Sequence, residues 1–130
     1  MAASVTDSDP LQPTVQFVER AIETQKKELN DKTPNAKNPK LQAELAKVFA
    51  TYQQVITSSI QNLTQQKSLY QELSTLLGKG VSTDPKSLSE MQQQLTLLQT
   101  KLNTSIENSQ KYEPQLKTLQ GRITELMNVD

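Results

Sequence analysis

LSEMQQQLTLLQTKLNTSIENSQKYEPQLKTLQGRITEL, residues 88–126, decides the fold. Leu88, Met91, Leu95, Leu98, Leu102, Ser105, Ser109, Tyr112, Leu116, Leu119, Ile123 and Leu126 follow one another in alternating steps of three and four. Ten of these twelve positions are apolar or aromatic. A repeat averaging about 3.5 residues keeps one narrow stripe on the same side of a helix, so the stretch predicts a long helix lying against another helix. Pro114 and Gly121 fall at the outermost heptad position, away from the stripe. A proline there removes one backbone hydrogen bond and crowds the carbonyl of Gln110, which bends a helix without ending it. The heptad crosses Pro114 without a change of phase. A continuous, kinked helix over 87–128 is therefore expected, with a break at Glu113 as the alternative.

Upstream of this stretch, Gly78 and Gly80 are stop signals, and Asp84–Pro85 or the box Ser87-x-x-Glu90 is a start signal. The short connector between them predicts an antiparallel neighbour. That neighbour is a second helix over 39–77, opened by Asn38 as cap and Pro39 in its first turn. One of its rows runs Phe49, Tyr52, Ile56, Ser59, Leu63, Gln66, Tyr70, Leu73, Leu77, and beside it lies Leu41, Val48, Val55, Asn62, Leu69, Leu76. Two adjacent rows make a face too wide for one partner, so this helix is expected to be central. A turn centred near residue 82 sets Leu95 opposite Tyr70, Leu102 opposite Leu63 and Leu116 opposite Phe49. It also brings Ser105 and Ser109 to Ser59, Ile60 and Ile56, so the polar interruptions of the two helices coincide.

Further upstream, Thr14 is a candidate cap for a first helix over 14–31, with Val15, Val18, Ile22 and Leu29 on one stripe. Gln25 takes the missing step, and Phe17 and Ala21 widen the stripe. Residues 1–13 have no periodicity and read as a flexible arm before a single helical domain, 14–130. An antiparallel pairing centred near residues 35–36 of the 31–38 connector would let the first helix cover the second only as far as about Ile56. Leu69 and Leu76 would then lack a partner within the chain. Leu97 would join them from the third helix. The three together are the candidate partner-binding patch.

The fold class is thus all-α: a short N-terminal helix packed on a long antiparallel hairpin, a coiled-coil-like three-helix bundle. Composition agrees with seams rather than a globular core. Apolar residues make up 34 % of the chain, whereas Gln, Asn, Ser and Thr account for 49 of its 130 residues. Fourteen basic and fourteen acidic residues cancel, so net charge gives no pull toward nucleic acid or anionic membrane. Lys26, Lys27, Lys32, Lys37 and Lys40 cluster loosely, but without the interleaved aromatic groups that nucleic-acid binding uses.

The chain has no His and no Cys, which removes the commonest general base, the strongest nucleophile and most zinc ligands. No catalytic, cofactor-binding or metal site is expected. The Asn62-Leu-Thr64 and Asn103-Thr-Ser105 triplets match the glycosylation pattern by chance, inside expected helices. No apolar run approaches the roughly 20 residues of a membrane span. The first ten residues carry neither the basic nor the apolar region of a secretory leader. The expected location is cytoplasmic, with export by a signal-less route as the alternative. The expected role is a non-catalytic coiled-coil subunit or adaptor that associates, with itself or a protein partner, through helices. A delivered effector or translocator of a secretion system, or a chaperone-like helical hairpin, is the alternative.

Overall fold

The computed structural model describes residues 10–80 and 83–130. Among these there are three α-helices and no strand: α1 Gln12–Leu29, α2 Gln42–Gly78 and α3 Pro85–Asn128. A 3-10 turn, Pro39–Leu41, leads into α2. Both α1 and α3 pack on α2, which is the central helix.

The local signals act largely as their chemistry dictates. Asn38 is extended and its side chain accepts from the Lys40 amide, with Pro39 next in the chain. Asp84 plays the same part for α3, accepting from the Lys86 amide, while Ser87 donates its hydroxyl to Asp84 at 3.0 Å. Ser87 therefore lies inside the first turn and does not head a capping box. Gly80 adopts φ +74°, a conformation open to glycine at little cost, just past the end of α2. α3 runs unbroken through Pro114.

Thr14 is not a cap. α1 begins at Gln12 without a side-chain cap, because Pro13 fits a first turn, whose amides have no intrahelical partner. The expected arm lies outside the described residues over 1–9. Its last four positions are a turn at Pro10 and Leu11 followed by the start of α1.

Burial is organised in three clusters along the bundle. At the base, Leu45, Phe49, Tyr52 and Ile56 meet Ile123 and Leu126. In the middle, Val18 and Ile22 of α1 meet Leu63. Toward the hairpin turn, Leu69 and Leu76 meet Leu98 and Leu102. Leu45 and Ile56 are fully buried.

Two registers differ from expectation. In the hairpin, Ser105 and Ser109 bond to Asn62 and Gln66, about a turn beyond the expected Ser59, Ile60 and Ile56, although Ser109 still lines one groove with Ser59. The Asn62 amide donates to the Ser105 carbonyl at 2.9 Å and to Ser109 Oγ at 3.0 Å. Ser105 Oγ donates to Asn62 Oδ1 at 3.1 Å, and Ser109 Oγ to Gln66 Oε1 at 3.3 Å. A buried amide without a partner is costly, so the polar side chains settle opposite one another.

The larger difference concerns α1. Residues 31–36 have no regular structure; they run along the base and are stitched to it. The Ala36 amide donates to Gln42 Oε1 at 2.7 Å, Gln42 Nε2 donates to the Pro34 carbonyl at 3.0 Å, and the Lys37 amide donates to the Met127 carbonyl at 3.2 Å. This span spends residues that a turn would have left to packing, and it sets α1 farther along α2. Gln53 Nε2 donates to the Leu29 carbonyl at 3.2 Å, and Lys67 pairs with Glu19 at 3.1 Å. α1 thus covers α2 well past Ile56, to about the level of Tyr70.

Candidate interaction surface

The shifted register decides the fate of the residues singled out in the sequence. Leu69 and Leu76 are 5 % and 6 % exposed; they belong to the hairpin core and have partners within the chain. Leu97, at 55 % exposed, stands outside the seam. It edges a shallow groove of about 550 Å³ with Leu76 and Leu98, bordered by Glu72, Lys79 and Lys101. The expected patch of three therefore reduces to one exposed leucine above a covered seam.

A second surface was less legible. α1 turns Val15, Val18 and Ile22 inward, and the row beside them, Phe17, Ala21 and Thr24, is left facing α3. Because α1 and α3 both lie on α2 rather than on each other, a groove of about 610 Å³ runs between them. Ser59 and Leu63 lie along it on α2, with Ala21 on one side and the half-buried Leu116 on the other. Arg20 and Glu28 line the α1 side, Glu113 and Lys117 the α3 side. Phe17 lines one end and is 73 % exposed, the most exposed large apolar side chain among the described residues. The sequence signal was the widening of the α1 stripe by Phe17 and Ala21, which only the true register turns into a groove.

Below this groove a single hydroxyl ties the three helices. Tyr52 Oη donates to Glu28 Oε2 at 2.8 Å and accepts from Gln120 Nε2 at 2.8 Å. Burial raises the Tyr52 pKa; the Gln120 hydrogen bond opposes that shift and the Glu28 carboxylate adds to it. Gln25, at the missing step of the α1 stripe, has its Oε1 buried without a hydrogen-bond partner among the described residues.

The remaining sequence features sit apart from either groove or outside any chemistry. Lys37 pairs with Asp130 at 3.6 Å with both side chains exposed, the usual solvated placement. Asn62 of the first glycosylation triplet is buried in the seam with its amide engaged by Ser105 and Ser109. Among the described residues no three Asp or Glu side chains converge as metal ligands do, and no helix is long and apolar enough to cross a membrane.

No protein-family model matches the chain, and neither the curated proteins nor the solved structures contain a significant match.

Proposed function

We propose that this protein is a non-catalytic helical interaction module, a subunit or adaptor whose groove between α1 and α3 receives an amphipathic helix of a partner protein. The observation that carries the reading is the exposure of Phe17, at 73 %, beside a groove that includes Ala21, Leu63 and Leu116. An exposed phenyl ring continuous with other apolar surface is what a docking site offers, since covering it removes that area from water.

The shape supports a helix as the occupant. α1 and α3 run side by side in the same direction over α2, which leaves the fourth corner of a four-helix bundle open. From Phe17 to Glu28 the groove follows α1 for about three turns, roughly 16 Å at 1.5 Å per residue. Both signs of charge line each side, Arg20 with Glu28 and Glu113 with Lys117, which suits the alternating charges that flank an apolar helical stripe.

The test is a photoreactive phenylalanine analogue at position 17, irradiated in extract of the source cell, with the same group at Thr100 as control. A discrete adduct to a helical protein from position 17 alone is the expected result. Equal labelling from both positions, or none from 17, would refute the docking site.

A further inference from the structure

We infer that the hairpin tip is a separate cooperative unit, which unpairs while the base of the bundle stays folded. The tip comprises residues 67–78 of α2 and 85–102 of α3. Its buried core is four leucines, Leu69, Leu76, Leu98 and Leu102, helped by half-buried neighbours such as Leu73 and Leu95. α1 reaches only the near edge of this segment, through the Glu19–Lys67 pair and the packing of Tyr70, and adds nothing to the four leucines. Past that point two helices have only each other. Two-helix pairs with one thin seam are marginal in water, and low local density of buried apolar contacts marks the segments that open first.

What divides tip from base is the layer of Asn62, Gln66, Ser105 and Ser109. The hydrogen bonds among them hold the two arms at one point, but they contribute little apolar burial across it. The base cluster shares the half-buried Ile60 with the middle cluster. The tip cluster joins the middle one through the half-buried Tyr70. No buried apolar side chain belongs to both tip and base. Unpairing that starts at the turn end therefore loses four leucines, reaches the bonded amides and stops.

The consequence is a conditional surface. When the tip unpairs, Leu69, Leu76, Leu98 and Leu102 become accessible beside Leu97, which is already exposed. A row of leucines hidden in the closed state and offered in the open one is a device for a helical partner to capture, by shifting a population that already exists.

Native-state hydrogen exchange followed by mass spectrometry tests this on the full chain across a series of low denaturant concentrations. Amides of 70–77 and 91–101 are expected to exchange at least ~10-fold faster than those of 45–56 and 119–126. Their rates should respond less steeply to denaturant, because a local opening exposes less surface than global unfolding. Equal protection and equal slopes in the two regions would overturn the separate unit. The boundary is tested by Asn62→Leu with Gln66→Leu and Ser105→Ala, which should bring tip and base to a common slope. Separate slopes persisting in that variant would overturn the role of the polar layer. If it does not fold, wild-type exchange alone decides whether the tip is separate.

Discussion

Tyr52 Oη donates to Glu28 Oε2 at 2.8 Å, and the same oxygen accepts from Gln120. One phenol in α2 thereby holds the end of α1 and a turn of α3 at the same level, close to the open groove. A hydrogen bond to a charged acceptor is stronger than one between neutral groups, and this one lies partly out of water.

Removing that hydroxyl isolates its contribution. Tyr52→Phe keeps the ring against Phe49, whose centroid is 6.3 Å away, while losing both bonds. The expected cost is about 1–2 kcal/mol in urea melts. Tyr112→Phe, on the half-buried part of α3, is the control and should change stability by less than about 0.5 kcal/mol. Equal costs would mean that the Tyr52 bonds contribute nothing specific.

The same hydroxyl makes stability depend on alkaline pH. Burial chiefly raises the Tyr52 pKa in the folded state. An acid whose folded pKa is raised contributes stability that is fully present below the unfolded tyrosine value, near 10, and is lost as pH rises through the folded value. Wild type should therefore lose more stability than Tyr52→Phe between neutral pH and the region above about 10. Parallel pH profiles for the two proteins would contradict the assignment.

Gln25 marks the opposite case, a buried acceptor without a donor among the described residues. Gln25→Leu fills the missing step between Ile22 and Leu29 and removes the unsatisfied oxygen. The variant is expected to be more stable by about 1 kcal/mol, a gain readable as a higher urea midpoint with an unchanged slope. A loss of stability would show that the amide has a role that its surroundings do not reveal.

Leu98→Ala and Leu63→Ala each empty a seam position, at 8 % and 9 % exposed. Each should cost roughly 2–4 kcal/mol. Thr100→Ala, whose exposed hydroxyl donates to the Thr96 carbonyl one turn back, should change little. Similar costs for all three would mean that the stripe running through Leu98 is not the buried one.

How far the chain could be read before its coordinates depends on the range of each interaction. The stripe from Leu88 to Leu126, the stops at Gly78 and Gly80 and the caps at Asn38 and Asp84 are local, set by spacing or by one side chain on its own backbone. Each appears where the pattern put it except Gly78, which is the last residue of α2, the left-handed turn falling at Gly80. The placement of α1 is not local. It depends on Gln42 closing onto Pro34 and Ala36, and on Lys37 reaching the Met127 carbonyl ninety residues away. No periodicity in the connector signals those bonds. An error in the reach of α1 along α2 followed. It left Leu69 and Leu76 without a partner in the expected register, and it hid the groove that Phe17 borders.

Leu69 and Leu97, two of the three residues of the candidate patch, supply the sharpest contrast. Leu69 is 5 % exposed in the tip seam, and Leu97 is 55 % exposed on the neighbouring arm. Leu69→Glu would force a carboxylate between α2 and α3 with no partner to offset its desolvation. The tip should then stay unpaired, at a cost above about 3 kcal/mol. Leu97→Glu places its charge in water at the rim of the Leu76–Leu98 groove and should shift stability by less than about 0.5 kcal/mol. Helicity by circular dichroism and exchange at residues 70–77 and 91–101, measured on the same samples, separate the outcomes. Loss of tip protection in Leu69→Glu with base amides still protected places Leu69 in the seam of a unit that opens by itself. Full unfolding of Leu69→Glu would instead bind tip and base into one cooperative structure. A Leu97→Glu variant that lost helicity would contradict the exposed position of Leu97 on α3.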